Sequence, residues 1–263
     1  MDVEQNLPLQ PEESSVPVQP EESPTPAQPE ESPVPAQPEE SSVPVEYDEP
    51  PIPAPSSTLI DYSLRFTGGP GTSQLVAIAV ATALYTAFSW ICATFLTGTI
   101  PVVSTIFFAI GFGIPFAIWF GGWAFVIAYI GNAIGAGILA GLPLPVALWF
   151  GTVDLIQLGL AMLLYRLLAS RFGVDPIGKD VFTQRGFIFF ALCAALPGNI
   201  IGGAYGNAIL VWTGIAPASG FYVGWFTWSL SNIVLVLIIG SILLQSLGPV
   251  VERSGLTVRH ALN

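Results

Sequence analysis

The chain has 263 residues, of which 52% are hydrophobic and only 10% charged, and its mean hydropathy is +0.67. That balance is too apolar for an ordinary soluble domain. The net charge of −11 comes from one end: residues 1–57 hold 13 of the 18 acidic residues and no Lys or Arg, leaving five anions against seven cations beyond them.

Residues 1–57 are a low-complexity tail. The nonapeptides QPEESSVPV, QPEESPTPA, QPEESPVPA and QPEESSVPV begin at Gln10, Gln19, Gln28 and Gln37. Repeated proline removes helix donors and paired glutamates repel, so the tail is expected to be disordered and polyproline-like. It has neither the basic start nor the apolar centre of a signal peptide. Residues 58–73 form a linker whose Gly68-Gly69-Pro70-Gly71 cluster is a strong breaker.

The membrane domain, residues 74–248, follows abruptly. A crossing needs about 20 apolar residues to match roughly 30 Å of hydrocarbon. Six stretches qualify: Gln74 to Leu96, Ile100 to Phe120, Gly122 to Gly141, Pro145 to Leu168, Arg185 to Trp212 and Phe221 to Leu247. In the second, Gly111, Gly113 and Pro115 are expected to kink or break the helix. The fold class expected is an all-α integral membrane protein, a six-helix bundle with a disordered acidic tail. Residues 249–263 are read as a cytoplasmic C-terminal tail.

Orientation follows from the cations. Arg65 precedes the first span, Arg166, Arg171, Lys179 and Arg185 lie at or between the fourth and fifth, and Arg253 and Arg259 follow the sixth. Six spans with both termini cytoplasmic place all seven inside the cell membrane, and the outer connections carry none.

Two spans carry small residues at helical spacing around asparagines. Gly198, Gly202 and Gly206 accompany Asn199 and Asn207, while Gly131, Gly135, Gly137 and Gly141 surround Asn132. Such glycines let helix backbones approach closely, and each buried amide needs a hydrogen-bonding partner or a ligand. Asp154 and Gln157, three residues apart, share a helical face in the outer half of the fourth span. An ionised Asp there costs a few kcal/mol unless it faces the bundle, is paired or titrates. Trp149, Tyr205, Trp225 and Trp228 sit toward the outer side, with Asn232 one turn below Trp228. Singly, such aromatics suit an interfacial belt; together with the amides they describe an outward-facing ligand pocket. Either binding or a structural hydrogen bond fits Asp154.

Soluble-enzyme constellations are missing. His260 is the sole histidine, and Cys92 and Cys193 stand on different spans, so neither a histidine triad nor a spaced metal site is expected. GVDPIGKD fits the start of a phosphate-binding loop, but Asp180 occupies the Ser/Thr position and the segment follows a membrane helix, so it is read as a turn-rich cytoplasmic loop. No cofactor and no enzymatic activity are expected.

The order of these features, QLVAIAVATALYTAF, a kinked span ending in FGGW, a Gly-Asn helix, a cationic loop, a second Gly-Asn helix and LSNIVLVLIIGSILLQSLGPVVERSGL, resembles the substrate-binding S component of energy-coupling factor transporters. The resemblance covers about Gln74 to Leu256. It implies capture of a vitamin, a vitamin precursor or a similar small molecule from outside, with a separate transmembrane scaffold and two cytoplasmic ATPase subunits as partners, and no nucleic acid. It further implies a small-xxx-small docking face on the first helix, matched by Ala79, Ala83 and Ala87, with Ala77 and Ala81 as an offset register. Absence of a histidine-rich start argues against a metal cargo. The alternatives are a membrane-embedded sensory module, or an assembly protein of a membrane complex tethered through its acidic tail.

Overall fold

The computed structural model describes residues 64–65, 68–97, 104 and 106–261. The repeat tail and most of the linker lie outside the described residues. Among those described, the chain is helical throughout, apart from one isolated antiparallel bridge between Thr97 and Ser104. Five helical stretches are long and apolar enough to cross a membrane: Thr72–Phe95, Ala109–Ile138, Leu144–Leu168, Gln184–Trp212 and Ala218–Arg253. Large apolar side chains such as Leu75, Val76, Val80, Leu84, Val223, Phe226 and Ile238 lie exposed along them. Water would not tolerate a contiguous surface of that kind, whereas lipid tails match it.

Within these stretches the α-helices are α1 (Thr72–Phe95), α2 (Ala109–Phe120), α3 (Ala124–Ile130), α4 (Leu144–Phe150), α5 (Thr152–Leu168), α6 (Gln184–Phe190), α7 (Leu196–Trp212), α8 (Phe221–Leu235) and α9 (Ser241–Arg253). Wide π turns continue α3 over Gly131–Ile138, join α6 to α7 over Ala191–Ala195, and join α8 to α9 over Val236–Gly240.

The stretch Ala109–Ile138 is not one straight rod. Gly121 takes φ 58° and ψ −129°, open to glycine but strained for a side chain, and the chain reverses there. A straight helix would separate Gly113 from Gly131 by about 27 Å. Instead the ring of Tyr85 lies against both, on the side where each would carry a Cβ. The second predicted span is thus helical only over Ala109–Phe120 among the described residues, and it passes through Gly111, Gly113 and Pro115 without breaking. Gly111 gives room to Ile239, and Gly113 to Tyr85 and Leu158. This hairpin is the centre of the bundle: 72% of its apolar window is buried, against 28% for α1 and for the α8–α9 stretch.

Glycines set the other close approaches. The backbone of Gln157 on α5 lies against Gly198, its side chain against Gly202, and Trp228 against Gly206, so one glycine row on α7 receives two helices. The Thr86 carbonyl and Ser89 of α1 lie against Gly135, and Ala147 of α4 against Gly137.

One end of the bundle collects the cations. Arg166, buried at 4% exposure, donates to the carbonyls of Ile118 (3.0 Å), Trp119 (3.4 Å), Val258 (2.6 Å), Arg259 (3.4 Å) and His260 (3.1 Å). The Ala261 amide donates to the Arg65 carbonyl at 2.9 Å, and Gly122 to the Ala261 carbonyl at 2.6 Å. Lys179 pairs with Glu252 at 2.8 Å and with Asp175 at 3.4 Å, and Arg185 lies beside Gly173, two residues past Arg171. The hydrogen bond that the Lys179 ammonium donates to Glu252 raises it above its ordinary range, while burial raises the Asp180 carboxyl. The last apolar stretch therefore runs beyond Leu247 to Arg253, and residues 254–261 return as a strap across this end instead of trailing free.

Candidate functional site

The opposite end carries a cluster of Trp149, Tyr205 and Trp212. The Trp149 indole donates to the Tyr205 hydroxyl at 2.9 Å, Thr152 and Tyr205 share a hydrogen bond at 3.0 Å, and Trp149 meets Trp212 edge-on with ring centroids 4.5 Å apart. Below this cluster lies a small cavity of about 20 Å³, lined by Ala93, Ser104, Phe107, Asn132, Ala136, Phe150, Asp154 and Trp228. That is room for about one water molecule before any side chain moves.

Local structure explains where the cavity is. α2, at 12 residues, spans about 18 Å and falls short of the hydrocarbon thickness. Phe107 stands just before its start, and Ser104 is held to Thr97 by the isolated bridge. These two residues close the space above α2. The π turn Gly131–Ile138 brings Asn132 and Ala136 to the same wall, a use of a widened helix turn that recurs at binding sites.

Asp154 is 1% exposed. The Tyr85 hydroxyl, fully buried, donates to its Oδ2 at 2.7 Å, and its Oδ1 has no hydrogen-bond partner among the described residues. Trp228, whose ring is tilted against that of Phe150 with centroids 5.8 Å apart, has a buried Nε1 donor that is also unpartnered among the described residues. Asn132 spends its amide on the Phe150 carbonyl at 3.0 Å. The cavity wall thus includes a residue with an unpartnered carboxylate oxygen and one with an unpartnered indole N–H, set among aromatic and small side chains with Ser104 and Asn132. None of the seven cations lines it.

The remaining residues singled out from the sequence fall elsewhere. Gln157 donates to Asn199 Oδ1 at 3.3 Å, and Asn199 donates to the Ala195 carbonyl at 2.7 Å while its own carbonyl accepts from Ser229 at 3.1 Å. This pair joins α5, α7 and α8. Asn207 donates to Gly203 one turn back on its own helix at 2.9 Å, and Trp225 to the Ile200 carbonyl at 2.9 Å. Asn232 is fully buried on α8, with neither amide atom partnered among the described residues, but it is not in the cavity wall. Trp149 and Tyr205 belong to the aromatic cluster. Of the ten, the structure brings Asn132, Asp154 and Trp228 together at one cavity.

Tyr85, Ser104, Phe107 and Phe150 belong to the site without having been singled out. Tyr85 had a signal: it is the one tyrosine of α1, whose other aromatic residues, Phe88, Trp90 and Phe95, carry no hydroxyl. Ser104 and Phe107 lie in a stretch with no periodicity to exploit.

A second surface lies on α1. Ala79, Ala83 and Ala87 are exposed and line an open apolar groove with Thr82, Thr86 and Val126, whereas Ala81 of the offset register is buried. Among the described residues no group of three or more His, Cys, Asp or Glu is placed to hold a metal ion. Compared with known protein families, curated proteins and solved structures, the chain matches none, so its function is argued from this geometry.

Proposed function

We propose that the chain is the substrate-capture subunit of an ATP-driven importer, similar to the S components of energy-coupling factor transporters, and that it takes up a vitamin, a vitamin precursor or a similar small molecule. The observation that carries this reading is the cavity: a buried carboxylate with one unpartnered oxygen, walled by Phe107, Phe150 and Trp228, at the end of the bundle away from the cations. In this reading the reversal at Gly121 divides Ala109–Ile138 into two crossings, giving six. The cationic end faces the cytoplasm, both termini with it, and the cavity faces outside.

The chain itself performs no catalysis. Work comes from ATPase subunits reached through a membrane scaffold, which rests on the alanine row of α1. Alanines one turn apart leave a strip smooth enough for a partner helix to lie on or slide along. Replacing Ala83 by Phe fills that groove without touching the cavity. The test is affinity purification from native membranes: the wild-type chain should bring down ATPase subunits, and Ala83→Phe should lose at least about nine-tenths of them with folding intact. Undiminished ATPase recovery with Ala83→Phe would remove α1 as the docking face.

A further inference from the structure

The charge of the site narrows what can occupy it. Asp154 lines the cavity; one of its oxygens has no hydrogen-bond partner among the described residues, while the other is held by Tyr85. An ionised carboxyl only accepts hydrogen bonds, so whatever meets Oδ1 must bring a donor. No protein cation can serve. Arg166 stands in the last turn of α5, and its guanidinium is engaged by five carbonyls at the far end of the bundle. The opposite need is met by Trp228, whose indole is a donor only and is also unpartnered. Between the two groups the wall is aromatic, from Phe107, Phe150 and Trp228.

Three ligand classes can be weighed against this set. An anion would meet a carboxylate with a single indole N–H to offset the repulsion. A hard metal cation wants six or more oxygen ligands, and the cavity supplies one carboxylate that already spends one oxygen on Tyr85. An organic cation needs fewer polar contacts, because ring faces attract it as well.

We propose that the cavity binds a small, planar organic monocation bearing N–H groups, such as an amidinium or a protonated nitrogen heterocycle. Its N–H donates to Asp154 Oδ1, its ring or planar face lies among Phe107, Phe150 and Trp228, and an acceptor atom, where present, takes the Trp228 N–H. The cavity is small enough that a one-ring molecule already requires the aromatic side chains to shift. This assignment rests on the capture reading, because it names the cargo class of the same site.

The test compares isosteres that differ in charge. Benzamidinium, benzamide and benzoate, with acetamidinium, acetamide and acetate as a smaller set, are titrated calorimetrically into the full chain in lipid nanodiscs, with protein-free discs subtracted. In the set that binds, the cation should bind about tenfold or more tightly than the neutral amide, with no saturation by the carboxylate. Asp154→Asn should bring cation and amide to within about twofold, and Tyr85→Phe, which leaves the charge in place, should keep the cation preference. Thermal unfolding of each variant shows that the fold is retained. Binding of the carboxylate as tightly as the cation, or a preference unchanged by Asp154→Asn, overturns the charge assignment and leaves the capture reading standing. No saturable binding by any of the six removes the cavity as a ligand site, and the capture reading falls with it.

Discussion

Asp154 and Tyr85 show how a single polar pair can organise a membrane interior. The hydroxyl at 2.7 Å gives the carboxyl its one donor among the described residues, and the ring of the same tyrosine fills the space left by Gly113 and Gly131. Tyr85 therefore couples the hairpin of α2 and α3 to the site. Tyr85→Phe keeps the ring and deletes the donor, leaving Oδ2 without its hydrogen bond. It should cost about 1–3 kcal/mol of stability in unfolding measured in detergent or nanodiscs; no loss would mean that the hydroxyl contributes nothing to holding Asp154. The sequence made Asp154 conspicuous because an acid among apolar residues is costly wherever it points. Its partner was hidden, since a tyrosine 69 positions earlier becomes a neighbour only through helix packing. Asparagine was a less specific sign: Asn207 satisfies its amide on its own helix, and Asn199 joins helices. A polar residue in lipid must find a partner, but its type does not say whether the partner is a ligand.

At the scale of elements, glycine spacing was the most readable feature, because a period of four is one helical turn and places every glycine on one face. The α7 row meets Gln157 and Trp228 as that logic requires. A Cβ at Gly198 would run into the Gln157 backbone, which cannot swing aside as a side chain could. Gly198→Ala should therefore destabilise the protein by about 1–3 kcal/mol, whereas Gly69→Ala, with open space around it, should be silent by the same unfolding assay. Equal behaviour of the two would show that α5 and α7 are not in close contact. The boundary set between the second and third stretches, at Phe120 and Gly122, coincides with the reversal at Gly121, where φ is positive. Less legible was the strap of residues 254–261, which has no hydrophobic period. Its place is set by carbonyls that Arg166 needs, a demand visible only once the end of α2 and the C-terminal segment are side by side.

For the whole molecule, one end collects the cations and the other holds the Trp149, Tyr205 and Trp212 cluster, and the reading of six crossings places them on opposite membrane faces. Single cysteines test the arrangement. Ser254→Cys, at the strap end, should react with a membrane-impermeant maleimide only from the cytoplasmic side, and Leu144→Cys, at the other, only from outside; native Cys92 and Cys193 are replaced by alanine first. Labelling of both from one face would contradict the three crossings that separate them in this reading. Composition alone separated a membrane body from the acidic repeats, because apolar content and charge change together near residue 57. It could not reveal the cavity, which lies where the 12-residue α2 ends short of the hydrocarbon thickness.

Native mass spectrometry of the gently solubilised protein, purified from its own membranes with no added ligand, tests the central claim most directly. Wild type should retain one small organic molecule and co-purify with scaffold and ATPase subunits, and Asp154→Asn should lose the small molecule while keeping the subunits. A wild-type protein that carries no small molecule and is bound to an unrelated complex through residues 1–57 would contradict the account and favour an anchored assembly role.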